Sequence, residues 1–513
     1  MLLFCNNLLN SKLVTCESQV KSINSKSFKM KFKNHFFKIV ILVFVFFVNN
    51  MTQAAVKLPS VLASNMVLQQ QSEVKLWGWA KANAKIKITT SWDRKMITVV
   101  ADGQGNWLQK VKTPTAGGPY EITFNDGDKT TLTNVLIGEV WFCSGQSNME
   151  MPMQGFDRQP AAGGNEVIVK AKVSTPIRIF NTDVVDGKRI RQVSKLPQTD
   201  CKGTWVENTP ENVATTSATA YYFARYIQEV LGVPVGIIQS SLGGSAVQAW
   251  ISRDVISQFK EVDLAILDNT DEIKNPQGTP CCLYNAKVAP LLNFAIKGYL
   301  WYQGESNRTN PSLYAKLMPA FVNDMRARWD VGEFPFYYVQ IAPYKYEHPD
   351  STSSARLREV QLQHLAQIPN VGMATTLDIG NLDFIHPANK ATVGERLALW
   401  ALGKTYGRKG FDYAAPAYKS VEVKENKAYV AFTNAERGIT PIWTNLKGFE
   451  IAGADKVFHP ASAEVDSKTN QVAVWSDKVP VPVAVRYAFK NYAEASIFNV
   501  SGIPASSFRT DNW

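Results

Sequence analysis

From residue 56 to about 135, apolar and polar positions alternate in short runs. Val74–Trp79, Ala84–Thr90, Met96–Val100 and Gly105–Val111 are separated by Asn, Asp and Gly. A period of two buries one face of a strand, and evenly spaced short strands with no helical period predict a β-sandwich. From Val135 the pattern changes. Val135–Cys143, Val233–Ser240, Ile296–Tyr302, Phe334–Ile341 and Val371–Leu377 are largely apolar runs, as in strands covered on both faces. Helical spacing lies between them at Thr216–Leu231, which Gly232 and Pro234 close, at Ser354–Gln367 and at Ala388–Leu402. Strands alternating with helices predict a parallel sheet between two helical layers. Ala246–Ile251 continues the strand-like pattern after a Gly-Gly loop, and residues 154–212, rich in Gly, Pro, Asp and Lys, read as a long insertion. After Gly410 the short strands return at Ser420–Val423, Lys427–Phe432, Gln471–Trp475 and Val483–Phe489. The expected order is a β-sandwich at 56–135, an α/β core at 136–410 and a second β region at 411–513.

Composition changes this picture mainly at the N-terminus. The 513 residues carry a net charge of +11, but residues 1–55 hold seven Lys and a single Glu, which leaves +5 for the rest. That remainder is spread evenly, so no basic tract argues for nucleic acid. Residues 31–38 are basic, Ile39–Val48 are wholly apolar, and Gln53-Ala54-Ala55 are small enough for cleavage. This is the order of a secretory signal peptide, and ten apolar residues are too few to span a bilayer comfortably. Met30 stands where such a signal begins, so residues 1–29 read as an overcalled start. The mature chain is expected to be exported, periplasmic or extracellular, and free of the membrane. Cys143, Cys201, Cys281 and Cys282 remain in it; adjacent cysteines do not have zinc-ligand spacing, and no metal or cofactor is expected.

Candidate chemistry sits where strands end. Gly138-Glu-Val-Trp-Phe-Cys-Ser-Gly-Gln-Ser-Asn-Met-Glu runs from a strand through a turn to Ser147 and on to a segment able to start a helix. A hydroxyl there can face backbone N–H groups, which suits a nucleophile that generates an oxyanion. Position 149 is Met, so the G-x-S-x-G elbow of the α/β-hydrolases is absent. Gly243-Gly244-Ser245 follows the next strand and can bring an N–H close to the same oxyanion. Gln303, in Trp301-Tyr-Gln-Gly-Glu-Ser-Asn307, follows another strand and offers a side-chain amide, while Glu305 and Asn307 are candidates for substrate contact or support. His386 lies in Asp383-Phe-Ile-His-Pro387, with a carboxylate three residues earlier to orient its ring. His364 falls inside an amphipathic helix and reads as structural. Ligands of open parallel sheets bind at the carboxyl ends of the strands, where all these residues are expected.

The Ser147 and Gln303 stretches, with Ile385-His-Pro-x-x-Lys390, resemble the sialate O-acetylesterase family of SGNH (GDSL-like) hydrolases. The likeness runs from Asn65-Met-Val-Leu-Gln69 to Gly502-Ile-Pro-Ala-Ser-Ser-Phe-Arg-Thr-Asp511. It implies a flavodoxin-like three-layer α/β/α core with Ser147 as nucleophile, His386 as base and then acid, and Asp383 as its orienting carboxylate. Ser147, Gly244 and Gln303 would form the oxyanion hole. The wider SGNH pattern places an Asn in this third block, so either Gln303 or Asn307 must serve here. The implied substrate is an O-acetylated sialic acid or glycan. A deacetylase of xylan-like polysaccharide and a glycan-binding protein with a silent core are the competing expectations. A sialate carboxylate would favour a nearby Arg, for which Arg253, Arg308 and Arg356 are the candidates.

Overall fold

The computed structural model describes residues 55–513 except Asp186 and Trp443, so the expected leader lies outside the described residues. Its centre is a sheet of seven core strands: β1 (Lys129–Gly145), β2 (Ile177–Asn181), β3 (Thr204–Glu207), β4 (Val235–Ser241), β5 (Gly298–Tyr302), β6 (Phe336–Val339) and β7 (Val371–Ala374). They lie in the order β3-β2-β4-β1-β5-β6-β7. All neighbours are parallel except the edge strand β3, which runs antiparallel to β2. From β1 the chain goes to one side for β2, β3 and β4, then crosses to the other for β5 to β7. The ends of β4, β1 and β5 therefore flank the switch point where such sheets open a crevice.

Alternation along β1 makes the three layers. Trp141 and Cys143 pack with α1 (Ala218–Leu231) and α4 (Lys390–Trp400) in one cluster. Val140 and Phe142 pack on the opposite face with α2 (Pro311–Trp329) and α3 (Ser353–Gln367). Helix ends follow local chemistry: Ser217 caps α1 through the N–H of Ala220, and Gly232 closes it in the left-handed region at φ 68°. Asn310 caps α2 through Leu313 N–H, with Pro311 at the first position.

Three expectations change. Residues 154–212 are not a peripheral insertion, because they supply β2 and β3 to the central sheet. Ala246–Ile251 is not a strand; Val247–Trp250 forms a 3₁₀ turn. Nor does the chain break near residue 135. The N-terminal half of β1 pairs antiparallel with Gly117–Asn125 and parallel with Val67–Gln69, and its C-terminal half enters the core.

Small antiparallel sheets flank the core. In the N-terminal region Glu73–Trp79 pairs with Asn106–Lys112, while Lys85–Thr90 lies between Met96–Val100 and Gly117–Asn125. Val74, Leu76, Ile86, Ile88, Ile122 and Phe124 are buried within one cluster. The C-terminal region has two four-stranded sheets, with Val430, Val472, Ile451 and Val485 buried together. All four described cysteines are buried free thiols.

Candidate active site

β1 ends at Gly145, whose φ of 142° only glycine adopts readily; a Cβ there would lie 2.1 Å from the carbonyl oxygen of Tyr302. At this close pairing of Gly145 with Tyr302 of the parallel neighbour β5, the chain is released into the short helix Ser147–Glu150. Ser147 Oγ lies 2.8 Å from His386 Nε2, a contact closed across 239 residues. On the other side of the ring, Nδ1 lies 2.5 Å from Gln159 Oε1. A ring that accepts the serine proton at Nε2 carries its own hydrogen on Nδ1, and the Gln159 oxygen is its acceptor. Phe156 packs edge-on against the same imidazole, with centroids 5.3 Å apart.

The Gly-Gly loop and the β5 loop meet beside Ser147. Gly243 N–H donates to Glu150 Oε2 at 2.6 Å, and Arg189 holds Glu150 Oε1. Gln146 Oε1 accepts from Gly304 and Ser306 N–H at 3.2 and 3.4 Å, while Ser306 Oγ donates to Gly244 O at 2.9 Å. Among the described residues the N–H groups of Ser147 and Gly244 have no intramolecular acceptor, and Gly244 sits at φ 75°. Both are free backbone donors beside Ser147.

Other expected site residues are arranged differently. The carboxylate of Asp383 is exposed (66 %) and pairs with Lys345 Nζ at 2.9 Å, so it is not the partner of His386 here. Both amide hydrogens of Gln303 are engaged, by Ser245 O at 3.1 Å and Asn307 Oδ1 at 2.7 Å, which removes it as a ready oxyanion donor. Asn307 in turn receives Val247 N–H and donates to Gln248 Oε1. Gln303 and Asn307 thus brace the two loops against each other. Arg253 pairs with Asp268, and Arg308 pairs with Glu347 and stacks on Tyr346; Arg356 is an exposed residue of α3. His364 is buried, with Nε2 3.4 Å from Ala315 O. Among the described residues no group of three or more His, Cys, Asp or Glu side chains converges as a metal site would require.

Residues 137–402 match the family described as "Carbohydrate esterase, sialic acid-specific acetylesterase". The chain belongs to this family. A solved carbohydrate acetylesterase from Xanthomonas citri is 35% identical, covers 89% of this chain and all of its own, and superposes with a TM-score of 0.80. A sialate O-acetylesterase from Mus musculus is 25% identical over 91% of this chain and 97% of its own length. One from Homo sapiens is 27% identical over 88% and 91%. The expectation of an ester hydrolase of the sialate O-acetylesterase family with an α/β core therefore holds.

The site of this esterase includes residues that sequence patterns did not single out. Asn148, next to Ser147, is wholly buried: its Nδ2 donates to Glu305 Oε1 at 2.6 Å and to Ile385 O at 3.2 Å, and its Oδ1 accepts from Lys390 Nζ at 2.5 Å. Burial pushes the Lys390 ammonium down to about 7 against the pull of Glu305, and burial raises the Glu305 carboxyl. Burial and the Lys390 charge together push the His386 ring down to about 4. The imidazole of this esterase is thus kept neutral and ready to accept a proton at ordinary pH. Asn148, Glu150 and Lys390 lie inside the recognisable stretches, where their roles were hidden behind Ser147 and His386. Gln159 and Arg189 lie in the segment read as an insertion and had no signal.

Proposed function

We propose that this protein removes O-acetyl groups from sugars through an acyl-enzyme on Ser147, acting outside the cytoplasm, with O-acetylated sialic acid as its foremost substrate. The 2.8 Å contact between Ser147 Oγ and a neutral His386 Nε2 is the observation that carries this reading. His386 takes the hydroxyl proton as Oγ attacks the acetyl carbonyl, and the oxyanion is received by the N–H groups of Ser147 and Gly244. The tetrahedral species collapses, His386 returns the proton to the sugar oxygen, and the alcohol leaves. Water, deprotonated by the same ring, then attacks the acetyl-serine and acetate departs. Gln159 accepts from Nδ1–H and holds the ring in the tautomer both steps need.

An acetylated neutral polysaccharide such as xylan is the second reading. It is favoured by the full-length likeness to a protein named only as a carbohydrate acetylesterase and by the engagement of Arg253 and Arg308 with carboxylates. Acetate release by wild type and by Ser147→Ala, from O-acetylated sialic acid and from acetylated xylan, separates the two. Ser147→Ala and His386→Ala are expected to lose at least about 1,000-fold in kcat while remaining folded, whereas His364→Ala keeps its turnover number. Wild-type turnover in either of the first two variants would remove the site.

A further inference from the structure

Asn148 in the short helix after β1, Glu305 in the turn after β5 and Lys390 at the start of α4 come from three separate parts of the chain, and none of them touches the reacting atoms in the steps above. We propose that they form a positioning device that holds the His386 segment in register with Ser147; the proposal rests on the Ser147–His386 reading and deepens it. Asn148 directly follows the nucleophile. Its amide hydrogens bind Glu305 Oε1 and the carbonyl of Ile385, the peptide immediately before His386. Lys390 opens α4, four residues after His386, and its ammonium holds the oxygen of the same amide. The His386 segment is therefore gripped on both sides by one side chain, at Ile385 and at Lys390.

The charges make this grip directional. With its amide reversed, Asn148 would present N–H groups to an ammonium and its oxygen to a carboxylate and a carbonyl, three repulsions in place of three hydrogen bonds. The amide and the ammonium are fully buried and Glu305 is 3 % exposed, so water does not weaken the arrangement. The ammonium also lies 5.5 Å from the centre of the ring of Tyr302, the last residue of β5. Removing Lys390 leaves the Asn148 oxygen without a donor and the Glu305 carboxylate without its cation. Asn148 then keeps only its contacts to Glu305 and Ile385, and the start of α4 is no longer tied to it.

The second consequence is electrostatic. The charged groups around His386 are Lys390 on α4, Glu305 beyond Asn148, the Arg189–Glu150 pair behind Phe156, and the exposed Lys345–Asp383 pair. Lys390 is the cation that opposes protonation of the ring. A merely structural lysine would leave the acid limb of the rate where it is.

The test is the rate of Ser147 phosphonylation by a fluorophosphonate probe, read on the full chain together with thermal unfolding and the pH profile. Wild type, Ser147→Ala, Lys390→Met and the charge-neutral pair Lys390→Met/Glu305→Gln are compared. Wild type should be labelled at Ser147 only, and both Lys390 variants at least tenfold more slowly, with the acid midpoint moved upward. The double variant should regain thermal stability lost by the single one without regaining rate. If Lys390→Met does not fold, the double variant decides alone. Labelling of the folded double variant at the wild-type rate and midpoint overturns the positioning role. Absence of labelling at Ser147 in the wild type strikes instead at the reading beneath it.

Discussion

The His386 ring lies between a serine hydroxyl on Nε2 and an amide oxygen on Nδ1, with no carboxylate in direct contact among the described residues. An uncharged acceptor fixes the tautomer but offers the imidazolium only a dipole, so ring orientation becomes the main contribution of Gln159. Gln159→Ala should lower kcat by about tenfold or more, and Asp383→Asn by less than about threefold, measured as acetate release under saturating substrate. The reverse ranking would mean that the exposed Asp383 leaves Lys345 and turns onto the ring during turnover. The pH profile follows from the same residue. Its ring is pushed below the ordinary 6.5 to about 4, so it stays neutral as pH falls through 6. The acid limb of kcat/KM is expected below 6.5, moving toward 4, in a stopped assay across pH 3.5 to 8. The Ser147–His386 pairing was legible because each residue sits in a distinctive stretch, Ser147 two residues past β1 and His386 four residues before α4. Gln159 was not, because its contact closes over 227 residues from a turn without any pattern of its own.

The elements were legible where burial is two-sided and hidden where local residues contradict the fold. β1, β4, β5, β6 and β7 were foreseen from apolar runs, with ends shifted by a few residues, and α1 from its Gly232 stop. β2 escaped because five buried residues, one of them Arg178, lie in a segment rich in loop formers; Arg178 is buried there by an ion pair with Glu207 of β3. Pro319 inside α2 similarly masks a nineteen-residue helix. The turn that presents Ser147 depends on one position above all. Gly145→Ala puts a methyl group 2.1 Å from the Tyr302 carbonyl in a left-handed backbone. It should cost roughly 2–4 kcal/mol in urea unfolding and displace Ser147 two residues later, so that activity falls further than stability alone explains. Unchanged kinetics and midpoint would show that the β1–β5 pairing is slack.

Across the whole molecule, the C-terminal β region is fastened to a helix of the core by a buried arginine. Arg358 of α3 reaches Ser507 Oγ at 3.1 Å and the carbonyls of Ala488 and Lys490, while Gln340 Nε2 reaches Ser506 Oγ at 2.7 Å. Those two serines belong to the closing stretch that gave the sequence its likeness at the C-terminus, a likeness that said nothing of why they are there. Arg358→Met should lower stability by about 3 kcal/mol, because the oxygens of Ser354, Ser507, Ala488 and Lys490 lose their donor; calorimetry that finds an unchanged transition would refute the fastening. At the opposite end, β1 passes without interruption from the N-terminal sheet to the turn before Ser147. The two regions share one spine, and the last residues of that spine lead directly into Ser147. A protease that nicks the chain between residues 129 and 135 would disarm the esterase without touching a reacting group, so turnover doubles as a gauge of whether the N-terminal region is intact.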